Sequence, residues 1–126
     1  MEIKYVDYSI SDGILIAVYK EKLVVTIEQA KEMVADRLAF QNGKEYPIVI
    51  HMNGIKASTK EARIFMGTDG IKGITIGAFV VRHVIEQVIF NFFFKIEKPN
   101  VSTKAFTNEE DAIAWIREVQ NKTNAA

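Results

Sequence analysis

The chain has 126 residues, of which 48% are hydrophobic and 25% charged, and its 16 basic side chains balance its 16 acidic ones. This length suits one domain with a hydrophobic core, and the composition is typical of a folded protein rather than a disordered one. The balanced charge gives no reason to expect a nucleic-acid partner. Because cysteine is absent, disulfides, thiolate metal ligands and a cysteine nucleophile are excluded, and we expect a cytoplasmic protein.

No segment predicts insertion into a membrane. The first eight residues alternate charged and apolar side chains, unlike a signal peptide. The most apolar segment, residues 84–96, is interrupted by Glu86, Gln87, Asn91 and Lys95. It therefore falls short of the roughly 20 apolar residues that a spanning helix requires, and we expect no membrane span.

Three helix starts are indicated by a Ser or Thr that is followed three residues later by Gln or Glu. The pairs are Thr26 with Gln29, Ser58 with Glu61, and Thr107 with Glu110. In this capping box the hydroxyl accepts a hydrogen bond from the backbone amide three residues on, and that residue's side chain bonds back to the cap. Since apolar runs precede these pairs, strands and helices are predicted to alternate.

In chain order, the first half predicts a strand ending at residue 10, a turn at 11–13, a second strand at 14–20 antiparallel to the first, a helix at 26–41 and a strand at 48–52. Asn42 and Gly43 are expected to end the helix, and its charges, Arg37 among them, are expected on the solvent face. Asn53 and Gly54 then turn the chain toward the next helix.

The second half predicts a helix at 59–68, a strand at 74–81, a helix at 82–95, a strand at 103–106, a helix beginning at Thr107, and a flexible tail at 122–126. The resulting order, β-β-α-β-α-β-α-β-α, predicts an α/β fold with a mixed, mostly parallel sheet faced by helices. We expect one domain over residues 1–126.

Several stretches resemble a known family. Residues 48–55 read IVIHMNGI ahead of a predicted Ser-capped helix, and with the element order they resemble the STAS domains. Residues 46–50 (YPIVI), 60–63 (KEAR), 91–94 (NFFF) and 106–115 (FTNEEDAIAW) resemble the small stand-alone SpoIIAA-like proteins, which are described as related to CRAL-TRIO lipid carriers. The resemblance implies the STAS (SpoIIAA-like) fold, self-association, and binding of either a protein partner or an apolar ligand.

One departure from that family concerns the start of the second helix. In antagonists that switch by phosphorylation, an Asp precedes the acceptor Ser, and a small residue and Gly follow it. Here the region reads KASTKE over residues 56–61, so only the location carries over to Ser58 and Thr59 and not the phosphoacceptor role.

Two sites are candidates for binding. Because backbone amides at a helix N-terminus attract anions, the start of the second helix is a candidate anion or partner site, formed by Lys56, Ser58, Thr59, Lys60 and Arg63. The alternative is that the serine simply caps the helix and the basic side chains are solvated.

The second candidate lies on the third helix. At about 100° per residue, seven apolar side chains form one broad arc that is expected to face the core: Val84, Ile85, Val88, Ile89, Phe92, Phe93 and Ile96. Phe90 and Phe94 lie opposite this arc beside His83 and Gln87. Two aromatic rings on a polar side predict a covered surface, such as a homodimer interface, a groove for a partner or the wall of an apolar pocket. The alternative is that an N-terminal strand or the tail of the same chain covers them.

Neither histidine occurs in a metal or catalytic motif. His51 ends a strand, His83 begins a helix, and the residues around Ser58 lack the nucleophile elbow of a hydrolase. We therefore expect no metal, no cofactor and no enzymatic activity. The sequence predicts a non-catalytic regulatory or protein-interaction module that forms a homodimer. The alternatives are a carrier of a small apolar ligand with an anionic head, and a small hydrolase or transferase using Ser58 and His51.

Overall fold

The computed structural model describes residues 5–20, 23–52 and 55–125, without the side chains of residues 55, 56 and 123–125. Within this part of the chain the elements are β1 (Val6–Ser11), β2 (Ile14–Tyr19), β3 (Leu23–Val25), α1 (Ile27–Gln41), β4 (Tyr46–His51), β5 (Ile55–Ser58), α2 (Lys60–Gly67), β6 (Ile74–Val80), α3 (Val84–Glu97), β7 (Ser102–Phe106) and α4 (Glu109–Ala125). A 3-10 turn, Asp69–Ile71, follows α2. The predicted order is confirmed, and two short strands, β3 and β5, add to it.

The main sheet has five strands in the order β1-β2-β4-β6-β7. β1 and β2 are antiparallel and the other neighbours are parallel, so the predicted mixed, mostly parallel sheet is confirmed. The hairpin between β1 and β2 turns at Asp12 and Gly13, whose φ angles of 50° and 79° are those of a type I′ turn. β3 and β5 form a separate parallel pair.

Alternation along the strands gives the sheet two apolar faces. One face packs against α1 and α2, through Leu15, Ala17, Ile48, Ala30, Met33 and Ala62. The other packs against α4, through Ile14, Val49, Ala78, Val80, Ala112 and Ile116. The core therefore lies in two layers, with the sheet between helices.

The first predicted capping box is confirmed. The Thr26 hydroxyl accepts from the backbone amide of Gln29 at 3.4 Å, and the Thr26 amide donates to the Gln29 side chain at 3.2 Å. Helix α1 then ends as predicted, with Asn42 in the left-handed region at φ 51°. The Asn53–Gly54 turn lies outside the described residues.

The other two capping boxes are wrong by one residue. Thr59, not Ser58, accepts from the backbone amide of Ala62 at 3.2 Å, because Ser58 is still paired with Val25 as the last residue of β5. At α4, Asn108 rather than Thr107 forms the cap. Helix α4 continues to Ala125, across most of the segment expected to form a flexible tail.

The prediction that Arg37 lies on the solvent face of α1 is also wrong. Its side chain is 4% exposed and donates to the carbonyls of Gly70 at 2.7 Å and Lys72 at 2.9 Å, and also bonds to the Gln41 side chain. Burial lowers the pKa of this guanidinium. Arg37 thus fastens α1 to the loop after α2, because buried carbonyls require a donor.

Candidate functional site

Helix α3 is attached to the sheet through two phenylalanine rings. The ring centroids of Phe90 and Phe94 lie 6.3 and 5.4 Å from that of Phe79 on β6, and 6.0 Å from each other. Since side chains alternate along a strand, Phe79 lies on the face opposite Ala78 and Val80, which pack against α4. The three rings form an aromatic cluster between α3 and the sheet.

Polar side chains of α3 bond to the outermost strand, β7. Asn91 exchanges two hydrogen bonds with the backbone of Ala105: its Oδ1 accepts from the amide at 2.7 Å, and its Nδ2 donates to the carbonyl at 3.2 Å. Gln87 donates to the same carbonyl at 3.2 Å. β7 is the last strand of the five, so its outer backbone groups have no strand to bond to. At Ala105 the two side-chain amides supply those partners.

The apolar arc of α3 is left facing solvent. Its members are Val84 (65% exposed), Ile85 (72%), Val88 (62%), Ile89 (61%), Phe92 (65%), Phe93 (54%) and Ile96 (61%). We call these seven side chains the exposed α3 face. The prediction that this arc faces the core is wrong. The helix is turned the other way because Gln87 and Asn91 bond to the edge of β7, so the side that carries these amides faces the sheet.

Most of the side chains predicted to form a surface on α3 lie on the side of the helix that faces the sheet. Phe90, Phe94 and Gln87 are partly buried and contact the sheet of the same chain. His83 is exposed at the N-cap position and its side chain makes no capping bond. Within the described residues, the rings of Phe90 and Phe94 are therefore packed against Phe79 of the same chain.

At the start of α2 the predicted anion-binding residues lie close in the chain but are partly engaged. The Arg63 guanidinium donates to the Ser58 carbonyl at 2.7 Å and to its hydroxyl at 3.2 Å. Thr59 caps the helix and Lys60 is exposed. The Lys56 side chain lies outside the described part. Anion binding here stays a prediction.

His51 ends β4 and its Nε2 lies 2.8 Å from Oε1 of Glu109, in the first turn of α4. This contact ties the carboxyl end of the sheet to α4. Among the described residues no cluster of three His, Asp or Glu side chains is placed to hold a metal ion. Nor does any helix in that part of the chain have the length and apolar character to cross a membrane.

One open depression of about 360 Å³ lies between the end of α1 and the loop before β6, lined by Leu38, Gln41, Gly43, Lys44, Glu45, Lys72 and Gly73. Ligand pockets of this size are lined predominantly by apolar and aromatic side chains. Here Leu38 is the one large apolar residue of the lining. The depression therefore lacks the lining of an apolar-ligand cavity.

Together the sheet order and the flanking helices define a small α/β protein of the SpoIIAA-like type, with one helix that exposes an apolar face. A solved structure with this fold, an uncharacterized protein of the DUF3478 family from Shewanella loihica PV-4, is similar at a TM-score of 0.65 and 14% identity, over 87% of this chain and 90% of that one. The chain belongs to the family described as domain of unknown function DUF7793, whose model matches residues 8–120. No curated protein matches it.

Proposed function

We propose that the protein is a non-catalytic interaction module that binds its partner through the exposed α3 face. The observation that carries this proposal is the exposure of seven apolar side chains on one side of one helix, each more than half accessible. Apolar patches on monomers rarely exceed about 300–600 Å², and larger ones mark binding surfaces. At these exposures each side chain presents roughly 100 Å² and the seven together roughly 700 Å².

The helix that carries this face is already ordered. Asn91 and the two rings of Phe90 and Phe94 fix α3 to the sheet, so a partner would bind a preformed surface. Preformed surfaces bind at a lower entropic cost, because no segment has to be ordered first. This supports a role in binding rather than a face left exposed by a disordered helix.

A non-catalytic role is supported by the contacts of the polar candidates. The hydrolase alternative requires the Ser58 hydroxyl to bond to His51. Among the described residues this hydroxyl accepts from Arg63, and no hydrogen bond joins it to His51. The carrier alternative assumes a lipid-like ligand and a relation to CRAL-TRIO proteins. Because the depression lacks an apolar lining, such a ligand would have to bind on the exposed α3 face. We propose that this face binds a protein partner instead.

We also propose a cytoplasmic location.

The test is site-specific photo-cross-linking in cells that make the protein. A photoreactive residue replaces Val88 in the exposed α3 face; the control places it at Glu118, which is exposed on α4. We expect a protein adduct from position 88 that is lost when Phe92→Glu is added, and none from position 118. A lipid adduct at position 88 would support the carrier, and no adduct there would overturn the proposal.

A further inference from the structure

We infer that the partner of the exposed α3 face is a second copy of this chain, with the two α3 helices packed antiparallel. This inference rests on the proposed function and names the occupant of the surface. The area permits it, because a standard interface buries about 800 Å² on each partner and this face offers at most roughly 700 Å² for burial. Two-fold symmetric dimers are also the commonest oligomers of soluble proteins.

Four residues at the centre of the face form a seam suited to another helix. Ile85, Ile89, Phe92 and Ile96 are separated by four, three and four residues, the alternating spacing with which apolar residues recur where two helices pack lengthwise. All four are at least 61% exposed. A second helix that lies lengthwise on such a seam would cover all four side chains.

The seam is self-complementary when one copy is reversed. Its spacing reads the same in both directions, so a two-fold axis between residues 90 and 91 places Ile85 opposite Ile96 of the second copy and Ile89 opposite Phe92 of the second copy. In this arrangement the helix dipoles run in opposite directions, which is electrostatically favourable.

The side chains that flank the seam also fit this arrangement. Glu86 and Phe93 lie on one side of the seam, and Val88 and Lys95 lie on the other. In an antiparallel pair each side faces the same side of the second copy, so Glu86 comes next to Phe93 and Val88 next to Lys95. Lys95 lies opposite Val88 of the second copy, and its apolar stem can cover that surface.

Charge favours a second copy over a membrane surface as the occupant. Helices that lie on membranes typically carry a polar side rich in Lys and Arg, attracted to anionic lipids. Here α3 and its C-cap carry Glu86 and Glu97 against Lys95 and Lys98, so the helix has no basic excess. The inward side is also occupied by the bonds of Asn91 and Gln87 to β7.

The first experiment is sedimentation equilibrium of the purified protein. The chain mass is 14.3 kDa, and we expect the wild type to sediment at twice that mass and the double variant Ile89→Glu with Phe92→Glu at the single mass. Ile64→Glu, at a residue 57% exposed on α2, is the matched control and should leave the dimer intact. Circular dichroism checks that each variant is folded; since all three positions are exposed, their substitution leaves the core unchanged.

Because the chain lacks cysteine, introduced thiols report the direction of pairing. The double variant Ile85→Cys with Ile96→Cys should form a disulfide-linked dimer on mild oxidation, whereas Ile85→Cys alone should remain monomeric on a non-reducing gel. Within one helix these positions are about 16 Å apart, too far for an internal bridge. Efficient linkage of the single variant would indicate parallel helices and overturn the antiparallel arrangement.

The remaining outcomes separate this inference from the proposed function. A wild type that is monomeric at all concentrations, or a dimer that survives Ile89→Glu with Phe92→Glu, overturns the second copy as occupant. The proposed function then still stands if the probe at position 88 is cross-linked to a different protein in cells. A monomer that co-sediments with vesicles of phosphatidylcholine and phosphatidylglycerol, and loses this with Phe92→Glu, would make a lipid surface the occupant and overturn both.

Discussion

Asn91 acts on the edge of the sheet much as a further strand would. A side-chain amide has the same donor and acceptor as a backbone peptide group, so one residue can satisfy both outer groups of Ala105 on β7. Edge strands with free backbone groups can pair with other chains, and proteins commonly cover them. In this protein a helix provides the cover through its polar side.

Replacing Asn91 should therefore destabilise the fold out of proportion to its partial exposure. Asn91→Ala removes the partners of the Ala105 amide and carbonyl, and we expect the free energy of unfolding to fall by about 1–3 kcal/mol. Urea unfolding at a fixed protein concentration measures the change, with Glu97→Ala on the last turn of the same helix as control. Equal stability of the two variants would show that the edge bonds contribute little.

A buried tyrosine predicts how stability depends on alkaline pH. Burial raises the pKa of Tyr19 from 10.0 to about 12, and the nearby positive charge of Arg37 partly opposes this rise. Between these values the unfolded chain loses the phenolic proton while the folded chain keeps it. The contribution of Tyr19 to folding stability is therefore constant below pH 10, and it falls as pH rises toward 12, by about 1 kcal/mol per pH unit.

The measurement is urea unfolding at intervals from pH 7 to pH 12. Tyr19→Phe removes the titrating group, so its stability should fall less steeply above pH 10 than that of the wild type. From pH 7 to 9 the two curves should run parallel, which serves as the internal control. Equal slopes above pH 10 would contradict a raised pKa for Tyr19.

At the scale of elements, two neighbouring residues, Ser58 and Thr59, are candidates for the N-cap of α2. Thr59 accepts from the Ala62 amide, whereas the Ser58 hydroxyl bonds to the exposed Arg63 side chain. We expect Thr59→Ala to cost about 1 kcal/mol of unfolding free energy and Ser58→Ala a few tenths at most. Thermal or urea unfolding of the two variants side by side decides between them, and a larger loss from Ser58→Ala would restore the capping box first predicted there.

The elements themselves could be predicted because their signals are local. The Thr26 box, the Asn42–Gly43 stop and the Asp12–Gly13 turn act within a few residues, and each has the predicted structure. The caps at α2 and α4 were displaced because adjacent residues, Thr59 and Asn108, cap equally well. Which of two neighbours caps is decided by where the preceding strand ends, and that depends on tertiary pairing.

The orientation of α3 could not be predicted from its own sequence. Helical periodicity identifies an apolar arc, but it does not say what the arc packs against. The decisive partner is the Ala105 backbone on β7, which any residue type other than proline would present and which therefore leaves no trace in composition. One signal was available: Gln87 and Asn91 lie i, i+4 on the helix that precedes the last strand, where an uncovered edge is expected.

The same limitation explains Arg37. A charged residue in a helix among other charges is most often solvated, and only the loop at Gly70 and Lys72, more than 30 residues away, makes it a buried donor. Helix α3 could thus be recognised from the sequence as a candidate surface, whereas the prediction of which of its sides faces solvent was wrong.

At the scale of the whole molecule, the two core layers and the exposed α3 face are separate units of stability. The layers on either side of the sheet are formed by residues of β1–β4, β6 and β7 with α1, α2 and α4, and the exposed α3 face contributes none of its side chains to them. A single chain can therefore fold without burying this face. Association would then add to the stability of a fold that already exists.

This separation makes stability depend on protein concentration. If two folded copies pair through α3 and unfolded chains do not, mass action stabilises the folded state, by about 1.4 kcal/mol of dimer for each tenfold rise in concentration above the dissociation constant. We expect the melting temperature of the wild type to rise with concentration in calorimetry from micromolar to hundreds of micromolar. Ile89→Glu with Phe92→Glu should melt at one temperature throughout, and Ile64→Glu should behave as the wild type does. If the melting temperature of the wild type did not depend on concentration, the folded chain would be a monomer. The exposed α3 face would then bind a partner other than a second copy.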